Sequence, residues 1–265
     1  MQILVGIKQI LDPEIPASEF KVDPATNKPV PGRAKFVMDS YSEYALEVAL
    51  QFKEKNPGTK IVAVCVGDKP ADEVLRKALA LQVDEVVRVW EDGWDDLDAH
   101  ALAQILGRVA ERIGGADLAL VGRQSGDAER GLVGPMLAEE LKAACITLAT
   151  RVEAGGDNQI TVRREAGGGF VKVEIRLPAV VTVTNDDSNV LRLPKVKDIM
   201  MASRKPITVL RAADLGLDPG ALAPRLRLRS LFVPELAGDC ELVEGESGSE
   251  QAAGLARRLR ELKVV

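Results

Sequence analysis

An α/β fold, with a mostly parallel sheet and helices on both faces, is predicted by two features of this 265-residue chain. Up to about residue 145, short and almost wholly apolar runs alternate with segments whose apolar residues recur at helical spacing. The runs lack the in–out alternation of a half-exposed strand, so both faces of each strand are expected to be buried. A third feature, a change of rhythm after Ile146, predicts an antiparallel insertion at the sheet edge over about 146–176.

The elements follow in order. Residues 2–8 (QILVGIK) form the first apolar strand. Residues 12–35, rich in Pro, Asp, Asn and Lys, read as a loop with a short hairpin around Ala25–Pro31. A helix begins at about Ser42, with Ala45, Val48, Ala49 and Phe52 on one face, and Asn56-Pro57-Gly58 ends it. The next strands are Lys60–Gly67, Glu85–Trp90 and Asp117–Val121, and the intervening helices run over Asp68–Leu81 and about Leu97–Ile113. A fourth helix spans Gly131–Leu141. Thr147–Val152, Gln159–Arg164 and Phe170–Arg176 are strand-like and separated by Gly-rich turns, and Leu177–Val183 is one more apolar strand. Past Asn185 the alternation stops, and a loop of that length is uncommon inside a compact domain. The chain therefore divides into residues 1–185, an α/β domain, and residues 186–265, an extended arm lying across a partner and closed by a short helix at about Ser249–Leu262.

Composition narrows the function. The net charge is −5 and only 3% of residues are aromatic, so the core is aliphatic and there is no basic bias of the kind phosphate neutralisation needs. Nucleic acid is not an expected partner. Cys65, Cys145 and Cys240 form no CxxC pair, and His100 is the lone histidine, so no metal site is expected. Cys65 and Cys145 lie in apolar runs and read as small core residues. Trp90 and Trp94 flank an acidic turn and read as packing residues. The N-terminus lacks a basic leader and no stretch has the apolar length of a bilayer span, which points to the cytoplasm.

The segment Val121–Pro135 carries the most chemistry. It runs from a strand through Gly122, Gly126, Gly131 and Gly134 into a helix, and free N–H groups at a helix start attract anions. It matches neither GxGxxG nor the P-loop pattern, so it fits either a phosphate site or an ordinary strand–helix connection. Two other strand ends should face the same crevice. Gly6 lacks a side chain where a ligand would approach, and Val66-Gly67 ends the second strand. Asp39, Ser40 and Ser42 precede a helix, where each also suits capping. Together these segments fit an adenine nucleotide. No nucleophile–base pair and no mechanistic carboxylate pair is visible, so no catalytic residue is assigned.

Over nearly its whole length the sequence resembles the small (beta) subunit of electron-transfer flavoproteins. The resemblance is carried by Val5-Gly6-Ile7-Lys8-Gln9, Met38–Tyr41 with Ala45-Leu46-Glu47, Leu75–Ala80, Gly122-Arg123-Gln124 and the glycine loop to Gly134. Its most specific part joins Arg164–Gly169 to Leu177–Thr182. Ile199-Met200 and Ala213–Asp218 follow in the expected order. Asp39-Ser40 replaces an Asn-Pro pair usual in the family, and Gly167 and Val171 replace acidic residues of its signature.

The resemblance implies a Rossmann-like, adenine nucleotide-binding sheet and a heterodimer whose large subunit holds most of the FAD. The small subunit would bind AMP, or a second FAD in flavin-bifurcating, NADH-oxidising relatives. By resemblance the nucleotide contacts are Gly6, Asp39, Ser40, Tyr41, Ser42, Val66, Gly67, Asp127, Arg130, Gly131, Leu132, Val133 and Gly134. Val133 and Gly134 would offer backbone N–H groups to phosphate. Residues 191–203 would form the loop that docks electron donors, with Leu193, Val196 or Ile199 as its apolar anchor. Acyl-CoA dehydrogenases and a membrane quinone-linked oxidoreductase are the transient partners so implied. A stand-alone ATP-binding regulator on a similar sheet is the rival, and it leaves the arm without a role.

Overall fold

The computed structural model describes residues 1–16, 18–233 and 240–265. Positions 234–239 of the expected arm and position 17 of the expected loop lie outside the described residues. The chain forms two compact units, Met1–Leu231 and Phe232–Val265.

The first unit is organised by a nine-stranded sheet. Its central strands are β1 (Gln2–Gly6), β6 (Lys60–Val66), β7 (Glu85–Val89), β8 (Leu118–Gly122) and β12 (Ala179–Val183). They run parallel in the order β12-β8-β1-β6-β7. Their apolar runs are explained by burial on both faces. Ile3, Val5, Ala63, Leu118 and Leu120 pack beneath α1 (Ser40–Lys55) and α2 (Asp72–Ala80). Leu4, Val62, Val64, Ala119 and Val121 pack beneath α3 (Ala99–Arg112) and α4 (Val133–Glu140). Burial of roughly 25 cal/mol per Å² of apolar surface holds these layers together. Trp94 is buried in the second cluster and Trp90 packs against it, as expected for packing residues.

The expected antiparallel insertion is present at one edge. β9 (Ala144–Ala154) runs parallel beside β12, then pairs antiparallel with β10 (Gln159–Ala166), which pairs with β11 (Gly169–Arg176). Cys65 is buried and its thiol is pushed up to about 12 by desolvation. Cys145, expected in the core, is exposed, because it lies at the start of β9 and full burial on that strand begins only at Ala149.

Residues 12–35 contain the expected hairpin, formed by β3 (Lys21–Asp23) and β4 (Lys28–Val30). A second small pair, β2 (Gln9–Leu11) with β5 (Phe36–Met38), closes the base of this excursion. Unlike β3 and β4, which flank a turn, β2 and β5 are three-residue strands that no single turn joins, with too little pattern to be read from sequence.

The stretch from residue 186 to residue 231 differs from a free arm. β13 (Thr208–Leu210) adds to the sheet beside β7, and Leu210, Ala212, Leu215 and Leu222 are buried with the α3 layer. A short helix, α5 (Val196–Ala202), packs on α2. The physical reason is anchoring by single residues in place of a periodic face. Asn189, which is buried, donates to the Thr150 carbonyl at 2.7 Å, and the Asp98 carboxylate accepts the Arg225 N–H at 2.7 Å.

In the second unit, α6 (Gly248–Glu261) forms close to the expected helix. Ser247 caps it by accepting from the Glu250 N–H, and the Glu250 carboxylate accepts from the Glu246 N–H, a reciprocal start signal. None of its residues is buried within this structure. Among the described residues, no helix is long and apolar enough to cross a membrane.

Candidate functional site

The strand order fixes where a ligand crevice must lie. From β1 the chain builds outward through β6 and β7 on one side, and later through β8 and β12 on the other. Adjacent loops therefore diverge at the carboxyl ends of β1 and β8, which is where open parallel sheets place their ligands. Gly6, the last residue of β1, lies in register with Val121 of β8.

The residues expected to bind nucleotide are brought to this edge. Asp39, Ser40, Tyr41 and Ser42 form the start of α1, and the Ser42 hydroxyl accepts from the Lys8 N–H at 3.0 Å. Tyr41 packs so tightly on the end of β8 that a Cβ on Gly122 would stand 2.7 Å from its own Cβ. Val66 and Gly67 close β6 beside β1, and the Gly67 N–H donates to the Val89 carbonyl. Asp127, Arg130, Gly131 and Leu132 lie in the β8–α4 loop, with Arg130 and Leu132 exposed, and Val133 and Gly134 begin α4.

Asp39 joins two of these segments. It is only 1% exposed, and both carboxylate oxygens are engaged. One accepts the Ser42 N–H at 3.1 Å, capping α1, and the other accepts the Gly126 N–H at 2.6 Å, tying the glycine loop to the helix start. Lys8 makes a second tie. Its ammonium lies 2.6 and 2.7 Å from the two oxygens of Asp127 and 3.3 Å from the Ser125 hydroxyl. Burial opposes ionisation of Asp127, but the hydrogen bond and charge of Lys8 outweigh it and hold the carboxyl below its usual range. The loop is thus pinned at Gly126 by Asp39 and at Asp127 by Lys8.

The glycines serve packing more than ligand approach. A Cβ on Gly6 would meet Val121 Cγ1 at 2.9 Å, and one on Gly134 would meet Thr182 Cγ2 at 2.2 Å. At Gly6 the missing side chain makes room for the neighbouring strand. Gly134 lets α4 sit directly on β12. Gly131 has a φ of +62°, which favours glycine at the turn into α4.

Two features make the crevice fit a phosphate-bearing group. First, α4 begins without a side-chain cap, and among the described residues no acceptor meets the Val133 and Gly134 N–H groups. Such amides and the positive end of the helix favour an anion. Second, Arg123, directly after β8, has a buried Nε without a hydrogen-bond partner. Its guanidinium lies 5.1 Å from the Tyr41 ring centroid and makes a 3.3 Å bond to the Thr184 hydroxyl. A buried guanidinium N–H left unpaired is costly, and an acceptor from a ligand would satisfy it. Arg123 was not singled out from sequence as a site residue, because an arginine after a strand carries no mark of its burial. Among the described residues no cluster of His, Cys, Asp or Glu could hold a metal ion.

The expected docking residues lie elsewhere in the first unit. Leu193, Val196 and Ile199 are 88%, 75% and 50% exposed, and Met200 and Met201 are exposed beside them. The Gly-rich turn joining β10 to β11 carries the most specific part of the resemblance. There Arg164 Nε donates to the Thr147 carbonyl at 2.8 Å, and Arg163 lies over the Phe170 ring at 4.3 Å.

Comparison with known proteins assigns the family. Residues 30–215 match the electron transfer flavoprotein domain. The chain is 35% identical over 267 residues to the electron transfer flavoprotein subunit beta of Bacillus subtilis, and 33% identical over 273 residues to that of Methylophilus methylotrophus. These alignments cover 100% and 99% of both chains, respectively. It is also 30% identical over 269 residues, 100% of both chains, to the caffeyl-CoA reductase-Etf complex subunit CarD of Acetobacterium woodii. With more than two thirds of its length matched by the family's domain and full-length relatives of this identity, the chain belongs to the electron transfer flavoprotein family, among its beta subunits.

Proposed function

We propose that this chain is the AMP-binding small subunit of a heterodimer that carries electrons between dehydrogenases and a quinone-linked oxidoreductase of the membrane. Membership of the family implies electron transfer, association with a flavin and a heterodimer with a large subunit. The observation that carries the finer assignment is the uncapped start of α4 at the divergence of β1 and β8, and the unpaired Nε of Arg123, the residue that follows β8, supports it. In this assignment Val133 and Gly134 donate to a phosphate, Arg123 donates to an oxygen of the same ligand, and Asp39 and Lys8 hold the loop in place. The adenine end lies toward Val66 and Gly67.

FAD, held mainly by the large subunit, would supply the redox chemistry. This chain contributes position: it completes the flavin site, fixes the nucleotide and presents Leu193, Val196 and Ile199 to donors such as acyl-CoA dehydrogenases. A small apolar contact in a basic rim suits brief docking, because charge steers encounter while the apolar anchor gives affinity. The cytoplasm is the compartment proposed.

The likeness to a subunit of the caffeyl-CoA reductase-Etf complex favours one second reading, in which a second FAD replaces AMP in a flavin-bifurcating, NADH-oxidising complex. Co-expression with the large subunit, followed by denaturation and counting of released nucleotides, separates the two. One FAD and one AMP per heterodimer are expected. Two FADs move the assignment to the second reading. A colourless monomer that binds ATP overturns both in favour of a stand-alone regulator.

A further inference from the structure

The exposed apolar residues at 190–201 sit on a segment that local structure alone does not hold. α5 has seven residues, and isolated helices of that length are marginal in water. Val190, Leu193, Val196, Ile199, Met200 and Met201 all stay exposed, while Leu191 and Ala202, near the two ends, face the core. The segment's order comes from the packing of α5 on α2 and from its two ends.

Each end is held by one arginine. At the leading end, Arg192 reaches back to α1. Its Nη2 donates to Glu47 Oε1 at 2.7 Å, its Nε lies 3.0 Å from Glu47 Oε2, and its backbone N–H donates to the same oxygen at 3.2 Å. Its Nη1 is paired with Glu54. The Glu47 side chain is only 5% exposed, and Gln51 links it to the chain just before by donating both to Glu47 and to the Ser188 carbonyl. The hydrogen bond from Arg192, opposed by partial burial, holds the Glu54 carboxyl below its usual range. At the trailing end the direction reverses. Arg76 of α2 donates through Nη1 to the Ala202 carbonyl at 2.7 Å and to the Lys205 carbonyl. These carbonyls lie at and just beyond the end of α5, where a helix leaves acceptors unsatisfied. Ala202 is buried against the core.

We propose that Arg192 and Arg76 are positioning residues, which frame residues 193–201 as a docking knob already formed before a partner arrives. This rests on the docking role proposed above for Leu193, Val196 and Ile199. The frame removes the ordering loss that a loose loop suffers on association. It also sets the partner's chemistry. Lys195, Lys197 and Arg204 are exposed around the apolar residues, so the knob fits an apolar socket rimmed by carboxylates on a protein electron donor.

The test uses the co-expressed heterodimer with Arg76→Met, Arg192→Met and Val196→Ala, and a reduced acyl-CoA dehydrogenase that reduces the wild type. Arg76→Met keeps an unbranched stem and leaves no buried carboxylate unpaired, so it tests the frame even where Arg192→Met folds poorly. Both arginine variants should raise KM for the dehydrogenase about tenfold. The maximal rate, the nucleotide content and the extent of flavin reduction by dithionite should not change. Amide exchange in residues 196–203 of the free heterodimer should speed up in step. If Val196→Ala raises KM while Arg76→Met leaves it unchanged, the frame is overturned and the docking role survives. If Val196→Ala also leaves KM unchanged, the docking role and the frame fall together.

Discussion

The crevice at β1 and β8 and the segment at 190–205 both present functional groups at the surface, but they are held by different physics. At the crevice the positions come from the backbone. Two parallel strands in register, a helix start and a glycine loop converge because the carboxyl ends of β1 and β8 lie side by side in a sheet buried on both faces. At 190–205 the backbone dictates little, and side chains such as Arg192, Arg76 and Asn189 hold it. In the proposed assignment a rigid scaffold places a small ligand, while side-chain anchors hold a surface for brief docking. Damage in the first region should therefore appear as lost stability together with lost ligand. Damage in the second should appear as lost docking with little change in stability.

The largest expected effect tests the packing of the crevice. In Gly134→Ala the new Cβ would lie 2.2 Å from Thr182 Cγ2, so α4 must lift from β12. A loss of about 3 kcal/mol is expected, read by denaturant unfolding of the heterodimer, together with loss of the nucleotide. Thr182→Ser, which removes that methyl group, should restore most of it. Next comes Asp39→Ala. It removes both the cap on Ser42 and the tie to Gly126, and should cost about 2 kcal/mol and weaken AMP binding, measured by calorimetry.

A smaller effect lies in the segment after residue 222. Burial works against the charge of Asp98, yet hydrogen bonds from the Ala101, Arg225 and Leu226 N–H groups hold its carboxyl below the usual range. A lowered pKa in the folded state gives stability that is fully present above the unfolded value of about 3.9 and is lost as pH falls through the folded value. Amide protection at Arg225 and Leu226 should thus be flat from neutral pH down to about 4.5 and fall only in stronger acid. Asp98→Asn should remove that acid step. The smallest stability change is expected for Val196→Ala, whose side chain is three-quarters exposed: within about 0.5 kcal/mol by thermal melting, even as donor docking weakens.

These contrasts explain what the sequence could reveal. The central strands were legible because burial on both faces demands runs such as Ile61–Val66 and Ala179–Val183, in which Thr182 is the one hydroxyl and its oxygen accepts from the Leu148 N–H. The insertion was legible from the Gly-rich turns that separate its strands. β2, β5 and β13 were not, since three residues carry no period. The range beyond residue 185 resembled a free arm because its fixed points are scattered: Asn189, Arg192, Leu210, Leu215 and Asp98 each act singly. At the crevice the choice of segments could be made from sequence, but the duties within them could not. Asp39 proved to be a staple as well as a cap, Gly6 and Gly134 make room for Val121 and Thr182, and Lys8 and Arg123 emerged only with the geometry.

The central claim is that the first amides of α4 hold a nucleotide phosphate. Amide exchange of residues 130–136 tests it most directly, measured on the heterodimer stripped of its adenine nucleotide before and after AMP is added. Slowed exchange at Val133 and Gly134 is the predicted result. Unchanged exchange there, with AMP bound and protection arising at other residues, would contradict it.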